Sequence, residues 1–251
     1  MKALITGASS GIGLDMARYL STKKWELILV ARSKEKLEEI QEQLPTKVTI
    51  IVADLSNEQR VKDLYVIAKK ENVDVLINNA GLGDFGYLTD TDINKDLDLI
   101  NTNIKALHIL TKYMVREMEN KDTDTYILNV ASAAAFQPGP LMSTYYATKS
   151  YVYQLTEALY YEEKIKKTKV HVSVLCPGPV DTNFNNVANV KFSVKPLKST
   201  YVAKYAIDKM LDGKLLIIPG FKMKCARFFG KFVPNKLMLK ITYNIQKKKA
   251  S

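Results

Sequence analysis

The chain has 251 residues, 47% apolar and 25% charged, with a formal charge of +11, two histidines and two cysteines. That describes one globular domain of ordinary size with enough apolar content for a full core. No apolar run approaches the roughly 18 residues of a membrane span, and two cysteines are too few for a disulfide framework and fit a reducing cytoplasm. The charge is lopsided: residues 221–251 hold nine Lys/Arg and no acid, leaving 28 basic against 26 acidic groups in residues 1–220. A nucleic-acid-binding protein needs its basicity on the fold itself, so that class is excluded.

Lys2-Ala3-Leu4-Ile5 is expected to enter a strand almost at once, so no signal peptide is expected. Strands are expected at Ala3–Thr6, Glu26–Ala31, Lys47–Ala53, Val73–Asn78, Thr125–Ala131, Val170–Cys176 and Lys214–Pro219. They are short and rich in Val and Ile, as strands covered on both faces should be. Between them fall helix patterns at Gly11–Thr22, Ser33–Leu44 (stopped by Pro45), Ser56–Lys70, about 94–119, about 144–166 and Ser199–Leu211. Ser56 reads as the N-cap of the third helix, and a Ser/Thr cap as the start of the last. The alternation of strand and helix implies an α/β fold: a doubly wound parallel sheet of about seven strands with helices on both faces. After residue 220, Val233-Pro234-Asn235 splits a Phe-, Leu- and Lys-rich tail into two helices. The tail reads as a helix pair packed on the body or on a second subunit with its lysines solvated. Peripheral contact with an anionic membrane is the lesser alternative.

Two groups of residues carry chemistry. TGASSGIG at Thr6 to Gly13 follows the first strand and opens the first helix. Gly7 permits a sharp turn, and Gly11 and Gly13 let backbone and helix approach a pyrophosphate, which the helix N-terminus attracts. Tyr145 and Lys149, four residues apart, leave one face of a helix. A cation beside a phenol stabilises the phenolate, so Lys149 is expected to lower the Tyr145 pKa. Such a tyrosine can pass a proton to or from a substrate oxygen. Ser132, thirteen positions upstream, can hold that oxygen. The chemistry implied is hydride transfer with proton transfer between a carbonyl and an alcohol. Tyr146 is the rival to Tyr145, but only Tyr145 has both spacings. Cys176 in VSVLCPG reads as a buried small hydrophobe, His108 and His171 as structural, and no metal signature is present.

In order, TGASSGIG, Asp54-Leu55, NNAG at 78–81, Asn103, Ser132, Tyr145 with Lys149, and PGPVDT at 177–182 resemble the short-chain dehydrogenase/reductase family over roughly residues 1–220. The resemblance implies a Rossmann-type cofactor-binding domain at 1–220 followed by a basic helical extension at 221–251. It implies Tyr145 as general acid/base and Lys149 as the residue that tunes it and binds the nicotinamide ribose. Ser132 would orient the substrate oxygen. Asn103, with Asn101 its rival, would hold a water that links Lys149 to solvent. The cofactor would lie on Gly7, Ser9, Ser10, Gly11, Ile12 and Gly13, then on Arg32 and Ser33, and on Asp54 and Leu55 around the adenine. Asn79, Ala80 and Gly81 would pass its ribose, with Asn78 and Asn79 also able to stabilise the turn. Pro177, Gly178, Val180 and Thr182 would lie along the nicotinamide.

Ala31 stands where an acid would hold the ribose 2′-OH, and Arg32 beside it suits a 2′-phosphate. The cofactor is therefore read as NADP(H) in preference to NAD(H), although Ser10 takes the place of a second basic residue. The substrate pocket is expected from Gly83–Tyr87, Ala133–Met142 and the loop from Asn183 to about Leu197. Phe85, Phe136, Met142, Tyr146 and Phe184 are its candidate apolar lining. The resulting expectation is a cytoplasmic NADP(H)-dependent enzyme acting on a small apolar carbonyl or alcohol, assembled as a homodimer or homotetramer through its two long helices. The alternatives are a 3-oxoacyl-thioester reductase and a non-catalytic NADP(H)-sensing or scaffold protein. Intact Ser132, Tyr145 and Lys149 speak against the last.

Overall fold

Runs of Val, Ile and Leu that are apolar on both sides must pair edge to edge and be covered above and below. In the computed structural model, which describes residues 1–182 and 196–247, they do so. The strands are β1 (Lys2–Thr6), β2 (Glu26–Ala31), β3 (Val48–Val52), β4 (Val75–Asn78), β5 (Thr125–Val130), β6 (Val170–Leu175), β7 (Val180–Asp181), β8 (Leu197–Lys198) and β9 (Leu216–Ile217). Seven form one parallel sheet in the order β3-β2-β1-β4-β5-β6-β9. All seven expected strands are present: β2 has the expected bounds, β1 starts one residue earlier, and the others are trimmed by a residue or two at one or both ends. The short β7–β8 pair lies apart and was not expected.

The helices are α1 (Gly11–Thr22), α2 (Lys34–Gln43), α3 (Glu58–Lys70), α4 (Ile93–Ile100), α5 (Leu107–Met118), α6 (Ser143–Lys166), α7 (Ser199–Leu211), α8 (Phe221–Gly230) and α9 (Asn235–Lys247). Successive strand residues face opposite sides. Ile5, Leu29 and Ile77 pack with Met16, Leu20, Val202 and Ile207 on one side. Leu4, Ile28, Leu76 and Ile127 pack with Val61, Leu64, Leu110 and Met114 on the other. Each such side chain contributes roughly 1.5–3 kcal/mol by leaving water. The strand order departs in both directions from β1 and β4, so a crevice opens at their carboxyl ends, where doubly wound sheets bind ligands.

Two helix starts differ from expectation. Asn57, not Ser56, caps α3: its Oδ1 accepts from Gln59 N at 2.9 Å and Arg60 N at 3.2 Å. Ser56 is already engaged, donating from N and Oγ to Asp54. At α7 the cap position is Lys198, which makes no side-chain capping bond, and Ser199, the first helical residue, donates from Oγ to Asp15 Oδ2 on α1 at 2.5 Å. The first long helix is not uniform. A π turn at Asn101–Ala106 joins α4 to α5, a feature often found at functional sites.

The tail splits at Pro234 as expected, and both helices pack on the body. Met223 lies against Gly178. The Arg227 guanidinium stacks over Phe136 at 4.7 Å and Tyr153 at 5.6 Å and donates to the Tyr153 hydroxyl at 2.5 Å. Thr242 and Gln246 of α9 are buried.

Candidate active site

The glycine loop is held by a short chain of hydrogen bonds between the ends of β1 and β4. Thr6 Oγ1 accepts from the backbone N of Asn79 and of Ala80, both at 3.0 Å. The Asn79 amide donates back to the carbonyls of Thr6 and Gly7 at 3.0 and 3.1 Å. Gly7 has φ +64°, and a Cβ there would press to 2.8 Å from the Ala80 backbone. A Cβ on Gly13 would collide with the Asn79 side chain and the Gly7 carbonyl. Glycine is thus required at both positions. Ser10, in extended conformation before α1, makes no capping bond, and the first turn of α1 contains no acid. Its N–H groups and partial positive charge are open to an anion.

From this loop a cleft of about 380 Å³ runs along the carboxyl ends of the strands. Gly7, Ser9, Ser10, Gly11 and Ile12 border it at one end, with Arg32, Asp54 and Leu55 beyond β2 and β3. Asn79, Ala80 and Gly81 form the middle, and Pro177, Gly178, Val180 and Thr182 the far wall. Ser132, Tyr145 and Lys149 line the same cleft. Three expected residues lie behind the lining. Gly13 packs on Asn79. Ser33 caps α2, its Oγ accepting from Lys36 N at 3.4 Å. Asn103 is buried beneath Gly81. Asn78 is structural, its amide donating to Asn129 at 2.9 Å and Thr111 at 3.0 Å within the core.

Ser132 lies two residues past β5 and caps the short 3-10 turn Ala133–Phe136; its Oγ accepts from Ala134 N at 3.1 Å and hydrogen-bonds the Tyr145 phenol. Lys149 is 4% exposed, and its ammonium donates to Val130 O at 2.9 Å. A Cβ at Gly81 would lie 3.2 Å from Lys149 Nζ and 3.3 Å from Asn103 Oδ1, so the ammonium and the amide flank that glycine. The Asn103 amide is itself fixed: Nδ2 donates to Leu82 O and Thr148 Oγ1, and Oδ1 accepts from Leu82 N. Asn103 and Asn101 both belong to the π turn, and it is Asn103 that is buried there.

One expectation is corrected. The Tyr145 pKa is not lowered in this structure: burial pushes the phenol up to about 12 and outweighs the Ser132 hydrogen bond, which lowers it. The Lys149 ammonium sits 5.8 Å from the centre of the tyrosine ring and donates one hydrogen bond to Val130 O. Burial lowers the lysine itself to about 8. Tyr145 is therefore a proton-loaded phenol, and Lys149 a cation held at a cost.

Phe85, Met142 and Tyr146 gather beside Tyr145 as expected. Phe136 does not; it packs under Arg227 and against Tyr153. Phe184 and the loop from Asn183 to residue 195 lie outside the described residues. The sequence reading missed Gln246 of α9, which donates to the Tyr146 hydroxyl across one hundred positions. It also missed Tyr243, whose hydroxyl meets that of Tyr87 at 3.0 Å. Neither carried a local signal. Cys176 is fully buried and its thiol is pushed up to about 12, in keeping with a packing role. His108 and His171 pair with Tyr151 and Asp124 away from the cleft. Among the described residues no three His, Cys, Asp or Glu side chains converge as a metal site.

The short chain dehydrogenase family matches this chain over residues 1–191. The chain belongs to the short-chain dehydrogenase family. An uncharacterized oxidoreductase of Staphylococcus epidermidis is 33% identical over 183 residues, which covers 72% of this chain and 78% of that relative. A short-chain dehydrogenase from Sphingobium yanoikuyae, solved in complex with NADPH, superposes with a TM-score of 0.83 at 26% identity, covering 92% of both chains. A 3-ketoacyl-(acyl-carrier-protein) reductase from Brucella melitensis, complexed with NADH, superposes at 0.78 and 26% identity, covering 87% of this chain and 96% of its own. The open helix N-terminus, the glycines with no room for a Cβ and the exposed Arg32 fit a nicotinamide dinucleotide in this family's cleft.

Proposed function

We propose that this family member is a cytoplasmic NADP(H)-dependent oxidoreductase that interconverts a carbonyl and a secondary alcohol on a small apolar substrate. The observation that carries the reading is the juxtaposition of Ser132, hydrogen-bonded to the Tyr145 phenol, with the buried Lys149 ammonium in the cleft that continues the glycine loop. When bound, the nicotinamide supplies or accepts the hydride. The chain supplies the rest. Ser132 and Tyr145 present two hydroxyls to one substrate oxygen, and Tyr145 hands over its phenolic proton in reduction and takes it back in oxidation. Lys149 would hold ribose hydroxyls with its remaining N–H donors and favour the phenolate that the transfer leaves. Asn103 fixes the segment 81–82 against which Lys149 lies.

The NADP(H) preference rests on Arg32, because the two solved neighbours carry NADPH and NADH. Arg32 is exposed at the cleft, takes part in no ion pair among the described residues, and follows Ala31 where an acid would repel a 2′-phosphate. An apolar substrate is supported by Phe85, Ala134, Met142 and Tyr146 around Tyr145. A homo-oligomer through α4 and α6 is supported by the exposed Ile93, Leu97, Ile100, Tyr161 and Ile165. Reduction of a 3-oxoacyl thioester is the second reading, favoured by the likeness to the Brucella melitensis enzyme. Fluorescence titration with NADPH and NADH tests the cofactor assignment. Tighter NADPH binding that Arg32→Asp reverses, by roughly ten- to a hundredfold, supports it. Equal or tighter NADH binding by the wild type overturns it.

A further inference from the structure

Of the C-terminal helices, α9 buries one face and α8 half-buries Met223, Cys225 and Arg227; among the described residues the opposite face of each is exposed. On α9, Met238, Thr242 and Gln246 recur every fourth residue toward the body. One position earlier in each turn, Leu237, Ile241 and Ile245 form a parallel stripe that is 50%, 39% and 44% exposed. On α8 and the turn after it, Phe221, Phe228, Phe229 and Phe232 are each more than half exposed. Phe228 meets Phe229 and Phe232 at ring distances of 5.4 and 5.6 Å, so three of these rings make one cluster.

Lysines interleave with this apolar surface: Lys222, Lys224, Lys231, Lys236, Lys240 and Lys247. Among the described residues none of the six takes part in an ion pair. Body lysines such as Lys2, Lys69 and Lys166 do pair with carboxylates. No Asp or Glu occurs after residue 220 to neutralise the six.

An open apolar patch marks a surface that something covers. A second copy of the chain is a poor cover, because a two-fold contact would set the same uncompensated lysines against each other. A layer of anionic headgroups over acyl chains matches both features at once. Phenyl and aliphatic groups enter the boundary, and ammonium groups stay at headgroup level on long stems. No helix among the described residues is long and apolar enough to cross a membrane, so the pair would lie in the plane of the surface.

We propose that the face formed by α8 and α9 docks this protein on an anionic phospholipid bilayer. The proposal does not depend on which substrate or cofactor the cleft takes. Deleting residues 221–251 is not its test, because deletion would strip Met223, Arg227 and Gln246 from their contacts on the body. The test is co-sedimentation of the full chain with vesicles of mixed phosphatidylcholine and phosphatidylglycerol, and with phosphatidylcholine alone, in low and high salt. The protein is expected to pellet with the mixed vesicles only, and less as salt rises. Lys231→Gln and Lys236→Gln should each lower partitioning roughly fivefold. The double change Phe228→Ser and Phe232→Ser should lower it roughly tenfold or more, with the melting temperature unchanged because both rings are exposed. Failure to pellet with mixed vesicles, or equal pelleting of the double Phe variant, overturns the proposal. So does a dimer in sedimentation velocity that the double Phe variant dissociates, which would assign the face to a second copy.

Discussion

Lys149→Met is expected to make the protein more stable at neutral pH while abolishing its activity. Lys149 is 4% exposed, and burial lowers its pKa from 10.5 to about 8. Below about pH 8 both the folded and the unfolded chain carry the charge, and the folded chain bears a penalty of roughly 3 kcal/mol for it. Methionine fills similar space without the charge, but leaves Val130 O without its donor, a loss of about 1 kcal/mol. The net gain is about 2 kcal/mol near pH 7, or roughly 5 °C in melting temperature for a chain of this size. The sign of the pH dependence follows from the lowered pKa. Between about pH 8 and 10.5 the unfolded chain keeps a proton that the folded chain sheds, so wild-type stability gains on the variant as pH rises. Thermal melts of both proteins from about pH 7 to 10 read this directly, because the shared tyrosine titrations cancel in the difference. A variant that melts at or below the wild type near pH 7 refutes the reasoning. So does a difference that does not shrink as pH rises.

Two further outcomes follow from packing. Gly13→Ala places a methyl against the Asn79 side chain and the Gly7 carbonyl; a loss of about 1–3 kcal/mol in urea unfolding and weaker NADPH binding are expected, and an unchanged midpoint contradicts the assigned close approach. Arg227→Ala removes a cation stacked on Phe136 and Tyr153 and should cost about 2 kcal/mol, with faster proteolysis in α8; a neutral change in melting temperature would mean that the helix is not anchored there.

The sheet was legible because its central strands β1, β2 and β4 are buried on both faces and read as short, mostly apolar runs. β9 shows where that ends: Lys214–Pro219 looked like a full strand, but only Leu216–Ile217 pair with β6. Helix starts were less legible. Ser56 and Asn57 are both competent caps, and the choice was made by Asp54, which takes the serine first. Ser199 is the first helical residue of α7, not its cap, and donates to Asp15, distant in sequence. In the cleft, the motifs singled out residues that the fold brings to one lining, the glycine loop together with Ser132, Tyr145 and Lys149. They did not disclose the electrostatics, because the Tyr145 pKa depends on burial and on where the lysine points. The spacing showed only that the two side chains leave one helix face. The tail was the least legible. Its split at Pro234 is local and was read, whereas the bond from Gln246 to Tyr146 joins residues one hundred apart and has no pattern to betray it.

The central claim is that Tyr145 delivers the proton in an NADPH-dependent carbonyl reduction. It is tested most directly by following NADPH oxidation against a panel of apolar ketones with the wild type and Tyr145→Phe. Turnover of at least one ketone by the wild type is expected, with a loss of roughly a hundred- to ten-thousandfold in the variant and unchanged NADPH affinity. A Tyr145→Phe protein that turns over at the wild-type rate would contradict the account.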